Sequence, residues 1–270
     1  MNSPRQVFED NIRPATLLLH VYRLLENEEV YTEHQLVTSL RELLPARADE
    51  ELMLIHNSIF VGLIREGAQM PRSTLKKASL CNLLRQSVVS ACTALETYLP
   101  SLLRENLPLV IAARGRKFFP ADKDVQKSFE GMTFSLSETL RLLNEEDAPQ
   151  YIANKLIGYV GYKYLSGSKG IYSVATLLSI DDAWTRISDG LGQDVDSIKK
   201  QIDDTVSRRN DIVHRADRAQ KDPGGCVQEI GYAWSKQSVD TVANVCYALD
   251  ELVTTRVREL QTEIAAAAAT

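Results

Sequence analysis

Asp194 to Asp217 reads DVDSIKKQIDDTVSRRNDIVHRAD, and the fold turns on this stretch. Ile198, Ile202 and Val206 step by four, the period of one face of an α-helix. Asp194 or Asp196 stands where a side-chain oxygen caps the first free amides. Carried on at helical spacing, the apolar stripe reaches Arg209 and then Val213. An arginine therefore falls on the face that should be buried. A lone guanidinium there costs on the order of several kcal/mol, so it needs a carboxylate, an interface or a substrate phosphate. Asn210 and His214 are four apart on one face and within hydrogen-bonding reach. Asp217, three beyond His214, is placed to fix its tautomer. Arg209 and His214 stand about 140° apart around an ideal helix. They converge if the helix bends, or if a second copy brings its own pair across a twofold axis.

Helical periodicity extends on both sides. Upstream, DDAWTRISDGLG predicts a short capped helix ending at Gly190 or Gly192. Val174 to Ile180 fits a helix or a strand, Gly167 to Gly170 a turn, and Asp147-Ala148-Pro149 the start of a helix through Val160. A long helix is predicted from about Ser79, with Leu84, Val88, Ala91, Leu95, Tyr98 and Leu102 on one face and a kink at Pro100. The pattern weakens from Leu107 to Ser137, where RGRKFFPADKD reads as an exposed basic loop. Nearer the N-terminus, Pro4 after Ser3 opens a first helix with the stripe Leu17, Leu18, Val21, Leu24 and Leu25. Thr32 and Gln35 have capping-box spacing for a second. Asp49 caps a third, carrying Ile55, Ile59, Phe60, Leu63 and Ile64 and stopped by Gly67. Downstream, Arg218 to Tyr232 is a loop. A last helix starts near Ser235 or Ser238, with Val242, Cys246, Leu249, Val253, Val257, Leu260 and Ile264 in step. The expected organisation is all-α: an N-terminal helical extension over 1–70, a helical bundle over 71–264, and a frayed tail over 265–270.

Composition excludes several classes. With 270 residues, 44% hydrophobic and 25% charged, the chain is an ordinary globular one. Thirty-one basic against 36 acidic side chains give a net charge of -5, which excludes a globally basic nucleic-acid coat but not a local patch. No apolar run approaches the roughly 18 residues of a membrane span. The first residues lack an apolar signal core, so a cytoplasmic location is expected. Cys81, Cys92, Cys226 and Cys246 form no CxxC pair and read as buried, reduced thiols. His20, His34 and His56 are scattered over separate predicted helices and gather no metal-ligand set. A second arginine–histidine pair, Arg13 and His20, belongs to a helix start.

RRNDIVHRAD resembles the motif of HEPN domains, in particular the RiboL-PSP-like branch. LLRQSVVSACTALETYLPSLLRE is similar to that family's first long helix, with its acidic residue at Glu96 and its aromatic at Tyr98. DDAWTRISDGLGQDVDSIKKQIDDTV, including Trp184, resembles the approach to the motif, and SVDTVANVCYALDELV the closing helix. The resemblance covers roughly Ser79 to Leu260. It implies a helical bundle, a homodimer with a composite site, and metal-independent endoribonuclease activity without a cofactor, in toxin or antiviral defence. It leaves open a regulatory or antitoxin partner. It also leaves open a catalytically silent module that binds RNA or a protein. Position 216 is alanine, where one branch carries a tyrosine that a partner nucleotidyltransferase modifies, so that control is not expected.

The residues fit RNA chemistry. RNA carries its own nucleophile, the 2′-hydroxyl. Cleavage needs a base, an acid for the leaving 5′-oxygen, and positive charge at the phosphorus. Histidine, with a pKa near 6.5 when unperturbed, serves as base or acid. Arginine keeps its proton and grips phosphate with a fork. The expected site is thus His214 for proton transfer, Arg209 for charge and Asn210 for orientation, supported by Asp217 and Glu96. Arg208, Arg215, Arg218 and Lys221 are the expected RNA contacts, with Lys199 and Lys200 nearby and Asp203, Asp204 and Asp211 diluting them. Arg114, Arg116, Lys117, Phe118 and Phe119 offer a second contact loop through charge and stacking.

Overall fold

A computed structural model describes residues 3–26, 29–31, 38–39, 41, 49–56, 61–69, 75–115, 133–144, 147–160, 165–218 and 225–268. Eight α-helices are described: α1 (Pro4–Leu25), α2 (Lys77–Arg114), α3 (Leu136–Asn144), α4 (Ala148–Val160), α5 (Gly167–Leu177), α6 (Ala183–Leu191), α7 (Val195–Arg215) and α8 (Tyr232–Ala268). Three short strands, β1 (Glu29–Tyr31), β2 (Leu52–His56) and β3 (Val61–Arg65), form an antiparallel sheet in the order β1-β2-β3. The all-α class holds, with this sheet as a small addition.

At 38 residues, α2 is the axis of the bundle, about 57 Å long at 1.5 Å per residue. Leu84, Val88, Ala91, Leu95, Tyr98, Leu99, Leu102 and Leu103 are all buried along it. The helix runs on through Pro100 and through Pro108 to Arg114, past the point where the apolar pattern weakens. Helix α1 packs most extensively on α2, followed by α8, while α4, α5 and α7 cover the remaining sides. Phe8 of α1 stands 5.2 Å from Tyr98 and 5.5 Å from Tyr247, joining three helices through aromatic rings. Asn11 donates to Thr97 at 2.9 Å beside them. Phe8, Ile12, Ala15, Leu19 and Tyr22 lie in the same core as α2 and α8. The first helix is therefore part of the bundle.

The expected helix over Asp49 to Gly67 is corrected. Leu52 to Ile55 are consecutively buried in β2, and β2 pairs with β3 from Leu52 with Arg65 to His56 with Val61. Helical stripes and buried strands both fit an unbroken apolar run, and the cross-strand pairs decide for the sheet. Glu50 anchors its end, accepting from Arg65 Nε and Nη2 at 2.7 Å each. The capping box at Thr32 and Gln35 lies outside the described residues. Two further corrections concern the ends of helices. Gly167 to Gly170, expected as a turn, is the first turn of helix α5, and α8 starts at Tyr232 and continues through Ala268 where a frayed tail was expected.

Candidate functional site

The motif lies on α7, whose position follows from its sequence. Asp194 caps it, accepting from the Ser197 amide at 2.9 Å. Ile198, Ile202 and Thr205 are fully buried against the bundle. Asp203 reaches across to cap α5, accepting from the Ser168 amide at 2.8 Å and its hydroxyl at 2.7 Å. Gly167 makes that contact achievable: its φ is +67°, and a Cβ there would stand 2.8 Å from Asp203 Oδ1. The stripe turns away from Val213, which is exposed, and continues through the half-buried Ile212.

Arg209 faces inward as its place on the stripe predicts, with 17% of its side chain exposed. Its compensation is a carboxylate: Nη2 is paired with Glu96 of α2, and Nη1 donates to Asn210 Oδ1 at 3.0 Å. The Cys92 thiol, one turn before Glu96, lies by the same guanidinium. Burial pushes it up to about 11, against the opposing pull of Arg209. Glu96 and Arg209 are thus brought together, and the guanidinium fork is oriented by α2.

His214 stands exposed in the last turn of α7. Asn210 is engaged by Arg209, and no hydrogen bond joins it to His214 among the described residues. The expected role of Asp217 is corrected too. Only 1% exposed, its carboxylate sits between Arg85 of α2, 2.6 Å from Nε, and Arg208, 2.6 Å from Nε. It does not reach the imidazole. The backbone there is left-handed at two successive non-glycine residues, with φ of 48° at Ala216 and 61° at Asp217. Such conformations cost roughly 1–2 kcal/mol per residue and need support from elsewhere. The Ala216 and Asp217 amides both donate to Asp211 O, and the Gln228 amide donates to Asp217 O at 2.9 Å.

Arg208, expected at the RNA surface, is instead a structural cation. Besides Asp217 it donates to Glu229 O at 2.9 Å and lies 5.7 Å from the Trp234 ring centre. Arg215 is ion-paired with Asp211 one turn earlier, and Arg218 donates to Gly225 O at 2.9 Å. Lys221 lies outside the described residues, as do Arg116, Lys117, Phe118 and Phe119 of the second basic loop. Lys199 stacks over Trp184, and Lys200 pairs with Asp204.

Sequence reasoning missed Arg85 and Gln228. Arg85 is the one cation between Leu80 and Leu103, a run whose other charged residue is Glu96, and that isolation was the available signal. It also lines a cavity of about 1270 Å³ with Tyr22, Lys76, Lys77 and Tyr232. Cys92 and Cys246 are buried as expected, Cys81 is half-buried, and Cys226 is exposed, which corrects the expectation for that thiol. Among the described residues, no group of three or more His, Cys, Asp or Glu is placed to hold a metal ion. No described helix is long and apolar enough to cross a membrane.

Comparison with protein families decides the affiliation. The RiboL-PSP-HEPN family model matches residues 69–255, which is 187 of the 270 residues. The chain belongs to the RiboL-PSP-HEPN family. Neither the curated proteins nor the solved structures gave a match. The HEPN span begins just before α2 and ends within α8, so it contains Glu96, Arg209 and His214 together. It leaves out α1, which packing nonetheless places in the HEPN core.

Proposed function

We propose that this HEPN protein is a metal-independent endoribonuclease of the cytoplasm, acting as a toxin or in antiviral defence. The observation that carries the reading is Arg209 on α7, seated under the surface and oriented by Glu96, with His214 exposed on the last turn of the same helix. His214 takes the proton of the 2′-hydroxyl, whose oxygen attacks the adjacent phosphorus. The 5′-oxygen leaves with a proton, and the products are a 2′,3′-cyclic phosphate and a 5′-hydroxyl. Arg209 stabilises the charge that grows on the phosphorane. One imidazole does not serve easily as base and acid at once, and about 140° separates the two side chains around α7. A homodimer meets both needs, since a twofold axis near α7 supplies a second histidine and arginine. Of the four cations expected at the RNA, Arg215 and Arg218 are left to meet the backbone, exchanging their contacts with Asp211 and Gly225 O.

A second reading has its own support. The Arg209 fork is already taken by Glu96 and Asn210, as befits a module that binds RNA or a partner protein without cutting. Purified protein on end-labelled RNA with EDTA separates the two. Cleavage that disappears in His214→Ala supports the nuclease, and RNA retention without cleavage supports the binding module. Sedimentation giving a fully active strict monomer at micromolar concentration rules out the composite site.

A further inference from the structure

We propose that Arg85 of α2 is a positioning residue that, through Asp217, fixes the turn carrying His214. The proposal rests on the ribonuclease reading and adds a residue to its site. The turn after His214 has no glycine at its two left-handed positions, so local preference opposes its shape. Contacts from outside must hold it. Arg208 belongs to α7 itself and ties the turn to the segment entering α8, through Glu229 O and the Trp234 ring. Arg85 comes from another helix and uses its whole fork. Nε donates to Asp217 Oδ2 at 2.6 Å, Nη2 to Gln228 O at 3.0 Å and Nη1 to Asn82 Oδ1 at 3.3 Å.

The placement on α2 gives the contact its meaning. Arg85 and Glu96 are eleven residues apart, about three turns and about 20° of net rotation, so they share one face of α2. Glu96 holds Arg209 and Arg85 holds the turn next to His214. A single rigid helix therefore sets both ends of the motif. Cys92, on the same face between them, packs its thiol against Thr205 O at 3.8 Å, which keeps α7 flush along the way. An Asp217 that served only to neutralise Arg208 would not need a second arginine from α2.

Arg85→Lys tests this, because it keeps the charge and loses the fork. The readouts are cleavage of a mixed-sequence single-stranded RNA in EDTA, affinity for its all-2′-O-methyl counterpart, and imidazole NMR of histidine-labelled protein. The chain has only 4 histidines, so the His214 signal is assignable by His214→Ala. The expected result, well below the melting temperature, is kcat lowered at least tenfold. KM and affinity should stay within twofold, and the His214 signal should move while the others stay. A merely structural role lowers melting and leaves the kcat and the His214 signal of the folded protein unchanged, and that result overturns the proposal. Should Arg85→Lys fail to fold, Asp217→Asn probes the other end of the contact and must give the same signature. A wild-type chain that does not cleave removes the ribonuclease reading, and the catalytic part of the proposal with it. An unmoved His214 signal removes the positional part by itself.

Discussion

Replacing Asp217 with alanine should be among the most damaging single changes in this chain, and its size can be worked out. The carboxylate is 1% exposed and faces Arg85 and Arg208, whose side chains are 12% and 17% exposed. Removing one partner of a buried pair costs about 3–5 kcal/mol, because the opposite charge is left without compensation. Here two guanidinium groups are left facing each other. At about 2.1 cal/mol/K per residue, a chain of 270 residues has an unfolding entropy of roughly 0.6 kcal/mol/K. The expected fall in Tm is therefore about 5–9 °C, read by calorimetry at pH 7. Two further variants check the reasoning. Asp217→Gly loses the same charge but relieves the left-handed backbone, so it should be less destabilised than alanine by about 1 kcal/mol. Asp204→Ala removes only an exposed pair with Lys200 and should move Tm by less than about 1 °C. A loss for Asp217→Ala no larger than that of Asp204→Ala would refute the account of the buried pair.

Four more outcomes are expected. Arg209→Lys should cut kcat severely while keeping RNA affinity, and Asn210→Ala should cost less; end analysis of products should show 2′,3′-cyclic phosphate, and a 5′-phosphate would contradict the mechanism. Gly167→Ala should destabilise by about 1–3 kcal/mol in urea titration, since φ is +67° and the new Cβ meets Asp203 at 2.8 Å. A thiol reagent at pH 8 should label Cys226 in the native protein and spare Cys92, whose thiol is pushed up to about 11, until unfolding exposes it. Deleting residues 1–26 should abolish cooperative melting by circular dichroism, because Phe8, Ile12, Leu19 and Tyr22 leave the shared core.

The sequence made some of this legible, for reasons that differ from element to element. Helices α6 and α7 announce themselves through side chains near in the chain: Gly192 as a left-handed stop, Asp194 as a cap, and the stripe Ile198, Ile202 and Val206 after it. Helix α8 is long enough for its period to be unmistakable. Helix α5 was hidden because its cap comes from Asp203, 35 residues beyond Ser168, so its glycines looked like a turn. Strands β2 and β3 were hidden because a run of Leu, Met and Ile carries no period of its own. The inward turn of Arg209 was readable from its place on the stripe. Glu96 entered as a supporting residue only through the family resemblance, since 113 positions separate the pair and no spacing links them. Arg208 was misplaced for the same reason: the burial of Asp217 comes from packing against α2, and without that packing Arg208 looks like any surface arginine.

Two successive arginines thus do different work with the same chemistry. At about 100° per residue, Arg208 and Arg209 leave α7 in separate directions, and each finds its own carboxylate. Asp217 is held between Arg208 and Arg85, with 1% of its side chain exposed. Glu96 is more open, with 29% of its side chain exposed. On the proposed ribonuclease function, an incoming phosphate would share or displace its hold on Arg209 without unburying a fixed charge cluster. The two arginines are themselves equally exposed, at 17% of each side chain, so it is their carboxylates that set them apart.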